Sequence, residues 1–128
     1  MPLDIQLVSD LQGRSHRVTL RGRLDTMTAP ELDNRLAPIL ANPATKSLVF
    51  DLSELEYISS AGVQSFVRAR KALEGRGGSV ALLNPRPPVK KVFDILKAMP
   101  AEQVFASVAE LDRYLDSVQR RMSEEGGG

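Results

Sequence analysis

Residues 47–73 read SLVFDLSELEYISSAGVQSFVRARKAL, and the fold turns on a change of period inside them. The first part, Ser47 to Ser53, is short and almost continuously apolar. That pattern suits a strand buried on both faces, with Asp51 as the exception. Glu54 to Tyr57 reads as a turn. From about Ala61 to Glu74 the apolar residues move to helical spacing at Val63, Phe66, Val67 and Leu73. Two adjacent serines, Ser59 and Ser60, stand on the strand-to-helix corner. One of them is enough to cap the helix, a contact worth about 1 kcal/mol. The pair also suits a phosphorylation site. A phosphate there would meet free backbone N–H groups and the positive end of the helix dipole. The two readings are compatible.

Outward from this unit the same alternation recurs. Upstream, DIQLVSD and HRVTLRGRL alternate apolar and polar residues across the loop LQGRS, which predicts a strand hairpin. His16 opens its second strand and reads as a half-exposed strand residue. DTMTAPELDNRLAPILAN then switches to helical period, with Leu32, Leu36, Ile39 and Leu40 on one face. Thr28 and Glu31 have the spacing of a capping box, with Pro30 in the first turn. Pro38 predicts a kink or an early end to that helix.

Downstream, EGRGG stops the second helix, SVALLN reads as another buried strand, and PRPP opens a helix carrying Val89, Val92, Phe93 and Leu96 that ends at Pro100. QVFAS reads as a short strand. Ser107 and Glu110 form a second capping box before a helix striped by Val108, Leu111, Leu115 and Val118. The pattern β-β-α-β-α-β-α-β-α predicts a single α/β domain over residues 1–118. Its mixed, mostly parallel sheet would have about five strands, with about four helices. Residues 119–128 read as a flexible polar tail.

Composition narrows the function. At 128 residues and a net charge of +1, with both signs interspersed, the chain has no nucleic-acid footprint. No apolar run approaches the ~20 residues needed to span a bilayer. An acidic residue stands where a signal peptide would carry basic ones, so the expected location is the cytoplasm. There is no cysteine, and one histidine gives neither a metal site nor a catalytic triad. No metal and no cofactor are expected. Ile58-Ser59-Ser60-Ala61-Gly62 keeps only the downstream glycine of a nucleophile elbow. The glycines at 75–78 follow a helix rather than a strand, so they do not form a phosphate loop. The carboxylates Asp51, Glu54 and Glu56 crowd one turn rather than face each other as an acid–base pair. An enzyme is not expected. Arg68, Arg70 and Lys71 read as a solvated helix face, with partner contact as the alternative.

VFDLSELEYISSAGVQSFVRARKAL resembles the signature of the STAS domain, as in bacterial anti-sigma factor antagonists: a strand ending Asp-Leu-Ser, an aromatic, an aliphatic, then Asp/Ser-Ser-x-Gly and a helix. LRGRLDTMTAPEL is similar to the family's loop into its first helix, and GGSVALLNPRPPVKKVFDILKAMPAEQVFASVAELDRYL to its third unit and closing helix. The resemblance covers roughly Ile5 to Val118. It implies partner switching. The unphosphorylated domain binds a serine kinase that is also an anti-sigma factor. ATP-dependent phosphorylation of the domain ends the contact, and a metal-dependent serine phosphatase restores it. Carried over by residue, the phosphoacceptor falls on Ser60, with Ser59 as the alternative. Ser59 stands where many members have Asp, and Gln64 replaces a small residue usual in the antagonists. The implied partner face comprises Asp25, Thr26, Ser59, Ser60, Ala61, Gly62 and Gln64. A monomer is expected. The alternative role is a non-switching STAS interaction subunit of a membrane lipid-transport or signalling complex.

Overall fold

A computed structural model describes residues 3–98, 113, 117 and 119–121. The elements run β1 (Asp4–Ser9), β2 (Ser15–Leu24), α1 (Ala29–Ala41), β3 (Ser47–Ile58), α2 (Ser60–Glu74), β4 (Ser79–Leu83) and α3 (Pro87–Ala98). The sheet order is β1-β2-β3-β4. β1 pairs antiparallel with β2, whereas β2–β3 and β3–β4 are parallel, so the sheet is mixed and mostly parallel as expected. Residues 113, 117 and 119–121 are helical. The expected strand QVFAS and the capping box at Ser107 lie outside the described residues.

The hairpin forms where the alternation placed it. His16 is buried rather than half-exposed, at 8% exposure. Its Nε2–H donates to the Gly13 carbonyl at 3.1 Å, which leaves Nδ1 to accept from the Ser9 hydroxyl at 2.6 Å. The imidazole therefore braces the hairpin loop.

β3 corrects the sequence reading twice. It runs unbroken through Glu54–Tyr57, where a turn was expected. A bulged register with β2 between Thr19 and Arg23 absorbs the irregularity. Nor is it buried on both faces. Leu48, Phe50 and Leu52 are fully buried, whereas the alternate residues Ser47, Val49 and Asp51 are half-exposed. Among the described residues, α1, α2 and α3 join the face carrying Leu48, Phe50 and Leu52 in one core. From that face the ring of Phe50 meets Phe66 of α2 edge-on at 4.5 Å, and Phe66 meets Phe93 of α3 at 5.6 Å. α1 packs beside α2 through Leu32, Leu36 and Ile39, with Arg68 of α2 bonded to Asp33 of α1 at 2.8 Å. Arg70 reaches Glu74 one turn along α2, so these two cations are used within the fold. β4 is likewise more open than SVALLN suggested: Val80 is half-buried and Leu82 is 37% exposed.

On the opposite face Asp51 accepts from Arg17 at 2.9 Å and from the Ser53 hydroxyl at 2.8 Å. The Arg17 bond, then the Ser53 bonds, hold its carboxyl below the ordinary carboxylate range. Arg21 and Glu54 form a second ion pair across β2 and β3.

Pro38 does not end α1, which continues to Ala41. Pro38 is on the solvent side, where water can bond the carbonyl that proline leaves without an amide donor. The helix end is held by other side chains. Arg76 donates to the carbonyls of Leu40 and Asn42, and Thr45 to that of Ile39. The left-handed glycine after α2 is Gly77, with φ of 76°.

Candidate functional site: two corners at the carboxyl ends of β2 and β3

Leu24 and Ile58 are register partners and the last residues of adjacent parallel strands. The next residues, Asp25 and Ser59, each begin a strand-to-helix corner. The two corners are joined by the Ser59 N–H, which donates to the Leu24 carbonyl at 2.9 Å. Sequence positions more than thirty apart are thus brought side by side by one step of parallel pairing. In open α/β sheets this carboxyl end is where recognition usually sits.

The first corner is built by Asp25 and Thr28. The Asp25 carboxylate accepts from the N–H groups of Met27 and Thr28 at 3.0 and 3.1 Å, an Asx turn that starts the helix. The expected capping box does not form, because Thr28 is in helical conformation and its side chain makes no cap bond. Its hydroxyl points back instead, donating to the Arg23 carbonyl and accepting from the Asp25 N–H, both at 2.9 Å. Thr28 is buried, Asp25 is half-buried and Thr26 is exposed. Met27 projects outward at 84% exposure. The Arg23 guanidinium lies 4.0 Å over the Tyr57 ring, a cation–π contact just behind the two corners.

The second corner is built by Ser59 and Gly62. Ser59 is the N-cap of α2, in extended conformation, and its hydroxyl accepts from the Gly62 N–H at 3.4 Å. The capping reading therefore belongs to Ser59, which frees Ser60 from that duty. Gly62 is fixed by close approach: a Cβ there would stand 2.7 Å from Leu24 Cγ and 2.9 Å from Ile58 Cγ1. Its place is in the packing beneath the corner rather than on a surface. Ala61 is half-buried and Gln64 is exposed.

A phosphoacceptor at the start of α2 would be reached most easily on the surface. Both are buried, Ser59 at 3% and Ser60 at 8%. Sequence reasoning also missed Gln119. Residues 119–121, assigned to the polar tail, are helical, and Gln119 is 2% exposed with its carboxamide on the backbone of Ile58. The signal was present as spacing: Leu111, Leu115 and 119 are successive i+4 positions, and the polar side chain hid the continuation. Among the described residues no group of three or more His, Asp or Glu could hold a metal, and no helix is long and apolar enough to cross a membrane.

An α/β sheet with paired corners at its carboxyl end, one carrying an acid and the other two serines, agrees with the STAS resemblance of the sequence. The STAS domain family matches residues 10–111, and the chain belongs to it. The chain is similar to the anti-sigma-B factor antagonist of Staphylococcus aureus, strain NCTC 8325 / PS 47. The two are 26% identical over 93 residues, covering 73% of this chain and 85% of that protein. Among solved structures, it shares its fold with the anti-sigma factor antagonist SpoIIAA in its unphosphorylated form. That match has a TM-score of 0.63 at 24% identity, covering 72% of this chain and 83% of that one. The Bacillus cell fate determinant SpoIIAA in the phosphorylated form matches with a TM-score of 0.62 at 24% identity, covering 72% and 82%.

Proposed function

We propose that this chain is an anti-sigma factor antagonist that works by phosphorylation-dependent partner switching in the cytoplasm. The observation that carries the reading is the pair of adjoining corners, with Asp25 on one and Ser59-Ser60 on the other, locked by the Ser59-to-Leu24 hydrogen bond. Membership of the STAS family and the likeness to the S. aureus antagonist support it. The chain contributes an acceptor and a surface, not a catalyst. The partner is an anti-sigma factor serine kinase, which transfers the terminal phosphoryl group of ATP to the Ser60 hydroxyl and releases ADP. A metal-dependent serine phosphatase removes it. The contact face is made by Asp25, Thr26, Ser59, Ser60, Ala61 and Gln64, and Gly62 sets how closely its two halves approach.

The switch is electrostatic. A phosphoserine adds close to two negative charges. On the corner that adjoins the one carrying Asp25, they would add to its charge, so the partner would meet like charges where it met one, and such juxtaposition costs several kcal/mol at an interface.

The burial of both serines favours a second reading, in which Ser59 is a fixed cap and the chain a constitutive STAS interaction subunit of a membrane lipid-transport or signalling complex. The deciding experiment is the intact mass of the protein from its native cells, in growth and under stress, with the added phosphate located by fragmentation. Condition-dependent phosphate on Ser60 is expected. Phosphate on Ser59 would move the acceptor by one residue. No phosphate in any condition would replace switching by the constitutive subunit.

A further inference from the structure

Away from the two corners, another serine stands against a base. Ser9 and His16 face each other across the β1–β2 hairpin as register partners, at the end of β2 opposite Leu24. Ser9 is exposed, and the imidazole behind it is 8% exposed. The Ser9 hydroxyl lies 2.6 Å from His16 Nδ1. Two groups hold the other ring nitrogen, the Gly13 carbonyl at 3.1 Å and the Thr45 hydroxyl oxygen at 3.3 Å. The Thr45 hydroxyl donates its own proton to the Ile39 carbonyl at 2.8 Å, so toward the ring it accepts. Nε2 therefore keeps its proton, and the lone pair of Nδ1 points at Ser9. A hydroxyl bonded to a base, with the base oriented by further groups, is the arrangement that activates a serine nucleophile.

The backbone adds an independent feature. The Asp10 N–H donates to the Ser15 carbonyl at 3.0 Å, so Asp10 and Ser15 are a hydrogen-bonded pair of the antiparallel ladder. Such pairs alternate along a strand, so Ser9, one residue earlier, turns its N–H away from β2. Among the described residues no strand pairs with β1 on that side. The N–H of the nucleophile itself is thus available to an oxyanion, the use made of it in serine proteases.

We propose that Ser9 is an acyl-acceptor site, with His16 as its general base, for a short acyl group carried on a good leaving group. As Ser9 Oγ bonds to the acyl carbon, its proton passes to His16 Nδ1 and the carbonyl oxygen takes up the electron pair. The Gly13 carbonyl and the Thr45 hydroxyl hold the imidazolium at Nε2. The intermediate then expels the leaving group, which takes the proton from Nδ1, and an ester remains on Ser9. Nε2 is held by a carbonyl and a hydroxyl rather than a carboxylate, so the dyad supports slow, stoichiometric acylation rather than rapid turnover. The site is at the far end of β2 from the corners and does not rest on the function proposed for them.

The test treats the full chain with p-nitrophenyl acetate and locates the acetyl groups by fragmentation. Hydroxylamine cleaves serine esters and leaves acetylated lysines, which separates the two. Ser79, exposed at the start of β4, is the internal reference. Ser9 is expected to be acetylated about a hundredfold faster than Ser79, the low end for general-base catalysis. Ser9→Ala should remove the fast phase of nitrophenol release, and His16→Gln should bring Ser9 down to the rate of Ser79. The wild-type comparison decides whether or not His16→Gln folds. Equal rates at Ser9 and Ser79 would overturn the proposal. So would a fast phase that survives Ser9→Ala, with the imidazole itself acylated, or an unchanged rate at Ser9 in folded His16→Gln.

Discussion

The two corners at the end of the sheet follow equivalent strand residues, yet they are finished in opposite ways. At the first, an exposed loop projects Thr26 and Met27, and the backbone is organised from within by Asp25 and Thr28. At the second, both serines are buried and the closest approach in the region is made by a glycine. The first corner is thus a surface already presented. The second is covered, and the residue just before it, Ile58, is bonded by Gln119, sixty-one residues away in sequence. The contrast teaches that residue type at a corner does not fix its availability. An acid and a hydroxyl can occupy equivalent positions while one is half-buried and the other is buried.

The sharpest test of this contrast is Gly62→Ala. The added Cβ has no space against Leu24 and Ile58, so a loss of about 3 kcal/mol is expected, the upper end for overpacking a filled site. Urea unfolding measures it; a loss below about 0.5 kcal/mol would mean that the corners do not meet so closely.

Next is Thr28→Val, which keeps shape and deletes the hydroxyl that links Arg23 to Asp25. About 2 kcal/mol should go, because two backbone groups lose their buried partner. The same denaturation experiment checks it. If Thr28 acted as an ordinary capping-box residue, Thr28→Asp would preserve stability; the structure predicts that it does not, since the side chain points back into a buried site.

Ser59→Ala is smaller. The cap bond is long at 3.4 Å, so about 0.5 kcal/mol is expected, the low end for caps. A loss well above about 1 kcal/mol would show that Ser59 supports the corner by more than capping.

Asp51→Asn lies on the open face, away from both corners, and serves as the reference. Asp51 is held below its ordinary pKa of 3.8 chiefly by Arg17, so its folded-state value is depressed. The stability it adds is present above the unfolded pKa and is lost as pH falls through the folded one. Wild type should exceed Asp51→Asn by up to about 1 kcal/mol at neutral pH, with the difference fading below pH 3.8. A difference that persisted in strong acid would remove the ion pair as its source.

Much of this architecture is legible in the chain because it rests on local patterns. The hairpin was marked by alternation in DIQLVSD and HRVTLRGRL, α2 by the spacing of Val63, Phe66 and Leu73, and the site by Ser-Ser-Ala-Gly after a strand. The errors share one cause. SLVFDLS looks buried on both faces because Val49 is apolar, but hydrophobicity does not report how many layers cover a sheet. Thr28 and Glu31 have capping-box spacing, but spacing does not report that a carboxylate three residues earlier takes the same N–H. Pro38 looks disruptive until Arg76 and Thr45 are found holding the helix end.

The sequence by itself determined the order of strands and helices as far as α3, the α/β class, the lack of cysteine and the serine corner. Each follows from periodicity or composition, which act over a few residues. Tertiary structure decided which residues are covered: one face of β3 rather than two, Ser59 and Ser60 buried rather than open, and Gln119 inside rather than in a tail. Burial depends on what folds back from elsewhere in the chain. A backbone edge left unpaired at Ile58 requires a donor and an acceptor, and only the three-dimensional path of the chain reveals which side chain supplies them.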